Sequence, residues 1–380
     1  MRLEDLVLVS VDDHVVEPPD LFEGRLSAKH AEVAPRLVRK ESGIDVWQFM
    51  DAELPNIGLN AVAGRPPEEY AMDPQSFDDM RTGCYDIHDR VKDMNANGLL
   101  GSMCFPSFPQ FCGQLFARAA TKDEELATAL VRAYNDWHIE SWCGAYPGRF
   151  IPLALPMMWD VEKMAAEVRR VADKGCFAVT FSENPVHLGF PSIHSGHWDP
   201  FFAACQETET VVCMHIGSSS QMPSTSADAP VAVAATLSFN NSMASLADFL
   251  FSGVLVRFDS LKLAYSEGQI GWLPYVLERV DDVWREHRAW GGVRDLIPEP
   301  PSTYYFRQVF GCFFRDRHGL EALHRVGVDN VTFETDYPHT DTTWPDTKAV
   351  AEDMMRDLPD DVVYKLVRGN AIRMLSLDVV

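Results

Sequence analysis

The sequence lacks the cysteine spacing and the basic runs that mark two common classes of protein. Its eight cysteines are scattered and form no Cys-x-x-Cys pair, which argues against a zinc ribbon or a disulfide scaffold. No basic run offsets the formal net charge of −23. Because binding to a phosphate backbone depends on clustered Lys and Arg, nucleic acid is excluded as a partner.

The sequence also lacks long apolar runs and the glycine motifs of nucleotide-binding folds. No apolar stretch approaches the length of a membrane span, and the charged residues Arg2, Glu4 and Asp5 argue against a signal peptide. We therefore expect a soluble, cytoplasmic protein with no membrane partner. No Gly-x-Gly-x-x-Gly follows a predicted strand and no P-loop motif occurs, so the usual dinucleotide and phosphate-binding signals are missing.

Predicted strands and helices alternate along the whole chain. A content of 46% hydrophobic and 23% charged residues is typical of a globular protein. About eight short apolar strands, from residues 7–14 to residues 331–334, alternate with helical patterns. Alternation of this kind gives parallel strands, and eight units predict one (β/α)8, or TIM, barrel. The structural alternative is an open, doubly wound sheet.

One segment interrupts this alternation. Between about residues 31 and 70, alternating stretches at 36–40 and 45–50 are joined through Glu41-Ser42-Gly43. This pattern predicts a β-hairpin insertion after the first strand. No low-complexity linker divides the rest of the chain, so we predict a single domain over residues 1–380 that carries this insertion.

Side chains of the kind that bind metals follow the predicted strands. Asp12 and His14 are two residues apart on the first strand and therefore point the same way. His215 ends the fifth strand, Glu267 follows the sixth and Asp336 follows the last. In a barrel these positions face one mouth, and carboxylates with imidazoles there predict a divalent metal site. Taken singly, Asp336 fits a turn, Glu267 a helix cap and His215 a hydrogen-bonded core residue.

These motifs resemble the amidohydrolase superfamily, and specifically the amidohydrolase-2 group, which includes aminocarboxymuconate-semialdehyde and resorcylate-type decarboxylases. The motifs are Asp12-x-His14, His215-Ile-Gly, Asp336-Tyr-Pro-His339 and Gly369-Asn-Ala-Ile-Arg373. The resemblance extends over essentially the whole chain. It implies that one divalent ion is held by Asp12, His14, His215 and Asp336, with zinc favoured and manganese or iron as alternatives.

The chain departs from the family's common pattern at two positions. Asp12 stands where a histidine is most frequent, and Glu267 stands where many relatives place a histidine near the metal-bound water or substrate. The fourth strand, residues 176–183, has no lysine of the kind that bridges two ions in binuclear relatives. We therefore expect a single ion, unless Glu183 serves as the bridge.

The resemblance implies the catalytic roles of individual residues, and positions in loops or helix starts just after the predicted strands give the candidate pocket residues. Asp336 is predicted to be both a ligand and a proton shuttle, with Glu267 and His215 as the other catalytic residues. The predicted substrate contacts are Arg65, Phe105, Trp198, Trp272 and His339. His339 is alternatively a residue that fixes a metal ligand by a hydrogen bond. Further candidates for the pocket are Phe108, Phe111, Trp344 and, for a substrate carboxylate, Arg315.

The leading hypothesis is a metal-dependent hydrolase that uses an activated water on a small organic, aromatic or carboxylated substrate. The alternative is a nonoxidative metal-dependent decarboxylase of an aromatic or unsaturated acid. A third hypothesis, from a different class, is a noncatalytic binding protein without metal. The resemblance also implies a homo-oligomer, either a dimer or a tetramer.

Overall fold

The computed structural model describes residues 6–377, so that Arg2, Glu4 and Asp5 lie outside the described part of the chain. In chain order its strands are β1 (Leu8–Val15), β2 (Arg36–Arg39), β3 (Asp45–Phe49), β4 (Ala52–Ile57), β5 (Pro74–Gln75), β6 (Leu99–Pro106), β7 (Phe150–Ile151), β8 (Ala178–Phe181), β9 (Val211–His215), β10 (Leu263–Ser266), β11 (Val309–Phe313) and β12 (Val331–Phe333).

The helices between them are mostly short. They are α1 (Ala28–Ala31), α2 (Ile87–Asn97), α3 (Gln114–Ala120), α4 (Glu124–Trp137), α5 (Val161–Ala172), α6 (Asp199–Glu207), α7 (Val231–Leu237), α8 (Phe239–Phe251), α9 (Val254–Arg257), α10 (Leu273–Glu286), α11 (Pro301–Gln308), α12 (Arg317–Glu321), α13 (Leu323–Val326), α14 (Thr347–Met355), α15 (Asp360–Tyr364) and α16 (Asn370–Leu375). None of those in the described residues is long and apolar enough to cross a bilayer.

Eight parallel strands, β1 and β6 to β12, form the predicted (β/α)8 barrel. Hydrogen bonds order them as β1-β6-β7 and as β8-β9-β10-β11-β12. A parallel bridge between Ala154 and Val179 joins the two sets, and the amide of Asp336 donates to the carbonyl of Asp12 across the other junction. All eight strands therefore end at one rim, where parallel barrels carry their functional groups.

Apolar side chains fill the inside of this barrel and form an inner cluster. A second, larger cluster includes residues of the surrounding helices. The inner cluster draws buried residues from successive strands, including Val9, Met103, Val211, Ala264 and Phe310. Burial of such a cluster is the main driving force for closing the barrel. The inside of the barrel is thus a packed core. The predicted metal-binding side chains lie beyond this core, at the ends of the strands.

The predicted insertion is present and longer than the sequence pattern indicated. Strands β2 to β5 form an antiparallel sheet that extends to Gln75 instead of ending near residue 70. β5 has only two residues, one of them proline, and so carries no alternation to recognise. Trp47 of β3 is buried and stacks on Phe108 with ring centroids 4.4 Å apart, which joins the insertion to the loop after β6.

Candidate metal centre

Asp12, His14 and Asp336 come together because the loop after β12 is hydrogen-bonded to the end of β1. The amide of Asp336 donates to the carbonyl of Asp12 over 2.9 Å, and the amide of His14 donates to the carbonyl of Tyr337 over 2.6 Å. Asp336 has a φ of 50°, in the left-handed region that non-glycine residues seldom adopt. Backbone strain of this kind is often found at functional sites.

The nitrogen Nε2 of His14 lies at the middle of the site. It is 3.1 Å from Nε2 of His215, 3.3 Å from Oδ1 of Asp336 and 3.7 Å from Oδ1 of Asp12. Ligand atoms about 2.1 Å from one ion lie about 3.0 Å apart in neighbouring octahedral positions and about 3.4 Å apart in tetrahedral ones. The distances around His14 are therefore those of side chains that can share an ion.

His215 is oriented so that a nitrogen lone pair points into the site. Its Nδ1 lies 2.7 Å from the carbonyl oxygen of Ile216, and because a carbonyl only accepts, Nδ1 carries the proton. Nε2 is then free to bind a cation, and it lies 3.5 Å from both Oδ2 of Asp12 and Oε2 of Glu267. Burial lowers the pKa of His215 to about 4, which keeps the ring neutral.

Glu267 and His339 complete the inner set. Glu267, like Asp336, has a left-handed backbone, with a φ of 55°. The ring of His339 stacks on that of His14 with centroids 3.4 Å apart, and its Nδ1 lies 3.7 Å from Oδ1 of Asp336. The potential ligand atoms form two overlapping groups, one of Asp12, His14 and His215 and one of His14, Glu267, Asp336 and His339.

The residues present fit a cation. Both carboxylate oxygens of Asp12, Oδ1 of Asp336 and Nε2 of His339 are buried and have no hydrogen-bond partner in the part of the chain that the structure describes. Buried polar atoms are normally hydrogen-bonded, so the unpaired oxygens of Asp12 and Asp336 on either side of Nε2 of His14 indicate a missing partner. Burial, followed by the charges of neighbouring carboxylates, raises the pKa of Asp12 and of Asp336. A divalent ion would remove this repulsion.

The predicted substrate-contact residues fall into different surroundings. The ring of Phe105 is 5.1 Å from that of His215, so it borders the site, whereas Trp198 is fully buried and packs against Phe181 in the main core. Trp272 precedes α10 and donates to the carbonyl of Gly268 over 2.7 Å. Arg65 donates to the carbonyl of Asp79, within the segment between β4 and α2.

Of the other pocket candidates, Phe111 packs directly on a proposed ligand, and the remaining ones contact other parts of the chain. Phe111 stacks on His215 with centroids 4.1 Å apart and forms an apolar wall of the site. Trp344 lies over the guanidinium of Arg81, and Phe108 packs on the insertion. Arg315 follows β11. Burial raises the pKa of Asp341, and the positive charge of Arg315 partly offsets this increase.

Sequence reasoning missed Glu334 and Asp13. The side chain of Glu334 accepts from the amide of Glu267 over 3.0 Å, and burial raises its pKa to about 7. Glu334 directly follows the last strand, as the other predicted ligand-type residues follow theirs, and this signal was available. The direction of the Asp13 side chain could not be predicted from strand alternation, because a register shift between Ser10 and Asp13 interrupts the regular pairing of β1.

Asp13 joins the strands and loop that carry the ligand atoms. Its fully buried carboxylate accepts from the hydroxyls of Ser10, Ser102 and Thr335 and from the amide of Tyr337. These donors lie on β1, on β6 and in the segment after β12. A single carboxylate therefore fixes Asp12 and His14 relative to Asp336.

Glu17 holds the loop that carries Phe111. Its carboxylate accepts from the amides of Ser107 and Phe108 and from the hydroxyl of Tyr134, at 2.7–3.0 Å. Burial outweighs these hydrogen bonds and raises the pKa of Glu17 to about 7. Folded protein therefore binds a proton at Glu17 between about pH 4.5 and pH 7, where the unfolded chain does not.

This proton uptake predicts that Glu17 contributes stability to the metal-free protein at pH 5 and that this contribution is lost by pH 8. The pKa change of Glu17 corresponds to roughly 3 kcal/mol at about 1.4 kcal/mol per pH unit. Glu17→Gln should remove this contribution, so the free energy of unfolding at pH 5 minus that at pH 8, measured in urea, should be smaller than in wild type by that amount. Glu162→Gln, on the exposed part of α5, should leave it unchanged, and equal slopes for wild type and Glu17→Gln would contradict the prediction.

Comparison with known proteins gives one matching family and several similar proteins. The model of the amidohydrolase family matches residues 30–377. The gamma-resorcylate decarboxylase of Rhizobium sp. (strain MTP-10005) is 24% identical over 342 residues, which cover 84% of this chain and 94% of that protein.

Solved structures share the fold. An amidohydrolase from Mycobacterium avium subsp. paratuberculosis K-10 superposes with a TM-score of 0.73 at 20% identity, over 99% of both chains. A 5-carboxyvanillate decarboxylase from Novosphingobium aromaticivorans DSM 12444, solved with manganese and 3-methoxy-4-hydroxy-5-nitrobenzoic acid, gives a TM-score of 0.67 at 16% identity, over 98% of both chains. Because the family model spans most of the sequence, the chain belongs to the amidohydrolase family of enzymes.

Proposed function

We propose that this protein is a metal-dependent, nonoxidative decarboxylase of a small aromatic carboxylic acid. The sequence alone favours hydrolysis, but two of the similar proteins are decarboxylases of hydroxylated benzoic acids, and they support the alternative hypothesis better. The observation that carries the proposal is the convergence of Asp12, His14, His215 and Asp336 beneath an aromatic wall.

We further propose that these four side chains hold one divalent ion. Two carboxylates and two imidazoles suit both zinc and manganese, and the similar 5-carboxyvanillate decarboxylase contains manganese. A divalent ion bound by these residues would supply Lewis-acid chemistry at the substrate's carboxylate. The unpaired buried oxygens of Asp12 and Asp336 support this assignment.

Asp336 is the proposed proton carrier. Nonoxidative decarboxylation adds a proton to the ring carbon that bears the carboxylate, after which the carbon–carbon bond breaks and its electron pair returns to the ring as carbon dioxide leaves. The carboxyl of Asp336 is the proposed donor of that proton, since it lies among the proposed ligand atoms at the strand ends. Glu267, whose Oε2 lies 3.5 Å from Nε2 of His215, would hold a substrate hydroxyl.

The aromatic side chains around the site would bind the ring of the substrate and exclude water. Phe111 stacks on His215, and Phe105 packs beside the same imidazole. Apolar walls with a few polar groups are the usual composition of a small-molecule site. Exclusion of water also disfavours the competing hydrolytic reaction.

Product analysis tests the proposed reaction. We expect metal-loaded protein, incubated with gamma-resorcylate, 5-carboxyvanillate and related hydroxybenzoates, to release carbon dioxide from at least one acid. In deuterium oxide the product should carry one deuterium at the carbon that lost the carboxylate. Products that have gained water from a parallel panel of amides, esters and lactones, with no decarboxylation, would support a hydrolase and overturn the proposal.

The network around Asp13 leads to a prediction about metal affinity. Asp13→Asn places an amide group among hydroxyl and amide donors, which should loosen the spacing between β1 and the loop after β12. Loss of a residue that orients metal ligands typically weakens binding by about 10- to 100-fold. We expect a loss in this range for Mn²⁺, measured by competition with a chelating dye.

The matched control is Asp160→Asn, at the N-cap of α5, where asparagine also caps a helix. It should bind the ion as tightly as wild type. A folded Asp13→Asn protein with unchanged affinity would show that the network does not position the ligands.

A further inference from the structure

Glu183 is a buried carboxylate that the proposed reaction does not use. It lies two residues after β8 and is 4% exposed. It belongs to neither of the two groups of potential ligand atoms in the described part of the chain. Because burial of a charge away from water is costly unless the charge is hydrogen-bonded, the contacts of this side chain indicate what it does.

Three hydrogen-bond donors converge on one oxygen of Glu183. Its Oε1 accepts from the amide of Gly217 over 3.0 Å, from the hydroxyl of Ser219 over 2.8 Å and from the side-chain amide of Asn241 over 2.8 Å. Gly217 and Ser219 belong to the segment that directly follows His215 at the end of β9. Glu183 therefore holds the backbone that leads away from a proposed metal ligand.

The peptide group between Ile216 and Gly217 connects Glu183 to His215. Its N–H donates to Oε1 of Glu183, and its carbonyl oxygen lies 2.7 Å from Nδ1 of His215. The amide of Ser218 donates to the carbonyl of His215 and closes a turn, in which Gly217 has a φ of 84°, as type II turns need at their third residue. Since N–H and C=O point in opposite directions in a planar trans peptide, an acceptor that holds the N–H also sets the direction of the carbonyl.

The direction of this carbonyl decides which nitrogen of His215 is free to bind an ion. While Nδ1 donates to the carbonyl, the lone pair is on Nε2, which lies 3.1 Å from Nε2 of His14. If the carbonyl turned away, either nitrogen could carry the proton, and the ring would lose the contact that orients it. A carboxylate is a stronger acceptor for an N–H than a neutral oxygen, so the charge of Glu183 strengthens this control.

We propose that Glu183 is a positioning residue for the metal centre, acting on His215 through the peptide group between Ile216 and Gly217. It fixes the tautomer and the orientation of the imidazole without contributing a ligand atom. The inference rests on the proposed function only where it takes His215 to be a metal ligand. The tautomer of His215 in metal-free protein does not depend on that function.

Glu183→Gln tests the inference, because glutamine has nearly the same shape and no charge. Its amide nitrogen would replace Oε2, which is buried without a hydrogen-bond partner among residues 6–377, and would leave two donors unpaired. Loss of a group that orients a metal ligand typically weakens binding by about 10- to 100-fold. At pH 8, above the pKa of about 7 to which burial raises this carboxyl, we expect Glu183→Gln near the lower end of this range for Mn²⁺ and Glu183→Ala near the upper end.

Nitrogen NMR of metal-free protein that carries isotope-labelled histidine reports the tautomer directly. The signals of His215 are identified by their absence from the spectrum of His215→Ala. Wild type should show one tautomer, with the proton on Nδ1, and both Glu183 variants should show a mixture of the two. A residue that only stabilises the fold would change neither these signals nor the affinity for Mn²⁺.

The matched control is Glu167→Gln, which changes another buried carboxylate, on α5, that accepts from Asn135 and Arg170. It should lower the free energy of unfolding and leave the Mn²⁺ affinity and the tautomer of His215 unchanged. Circular dichroism establishes that each variant is folded. Wild-type affinity or a single tautomer in folded Glu183→Gln would overturn the inference and leave the proposed decarboxylase intact. Wild type that binds no Mn²⁺ would overturn the proposed function, and the tautomer measurement would still decide the inference.

Discussion

Asp336→Asn is expected to lower the turnover number by on the order of a thousandfold or more. Asparagine cannot release or accept the proton that the ring carbon needs, and general acid–base groups typically contribute about 10²- to 10⁴-fold to a rate. The substitution also removes a negative charge from the proposed ligand set. The measurement is turnover of the decarboxylated substrate at saturating metal, with bound metal determined in the same sample.

Metal content separates the two effects of this substitution. A variant that keeps one equivalent of metal and loses turnover has lost the proton carrier, whereas a variant without metal has lost a ligand. Asp248→Asn, on α8 and outside the site, should retain full activity. Turnover within tenfold of wild type in metal-loaded Asp336→Asn would remove Asp336 from the mechanism.

Removal of the metal is the second change with a large expected effect. Chelation should abolish turnover, and readdition of Mn²⁺ or Zn²⁺ should restore it. Because the ion binds the folded state, saturation at about a thousand times the dissociation constant should add about 4 kcal/mol to the free energy of unfolding. Thermal unfolding with and without metal measures this gain.

The increase in the free energy of unfolding caused by metal binding should depend on pH. Burial and mutual repulsion raise the pKa of Asp12 and Asp336, so protons compete with the ion for these oxygens at low pH. We therefore expect the stabilisation to be larger at pH 8 than at pH 5. His14→Ala should bind the ion weakly and show little stabilisation at either pH, and an equal gain in this variant would contradict the assignment of His14.

The positions of the central residues followed from strand periodicity. Asp12 and His14 share a strand face, and His215 and Asp336 follow apolar runs that could be recognised as buried strands. Glu334 directly follows the apolar run of β12, which ends at Phe333, and was overlooked beside Asp336. These side chains lie together because a parallel barrel brings all its strand ends to one rim.

Other features depend on contacts that are distant in sequence. Trp198 follows a loop-like stretch, yet its ring is buried in the core against Phe181. Strand β11 begins at Val309, directly after helix α11, which starts at Pro301 and runs to Gln308. Proline is favoured in the first turn of a helix, so Pro301 is a local indication in the sequence that helix α11 begins there.

The most direct test of the central claim is the position of the ion in crystals grown with Mn²⁺. An anomalous difference map at the manganese edge should show a peak with oxygens or nitrogens of Asp12, His14, His215 and Asp336 at about 2.0–2.3 Å. A peak held by other residues, or none at this rim in fully loaded protein, would contradict the proposed metal centre.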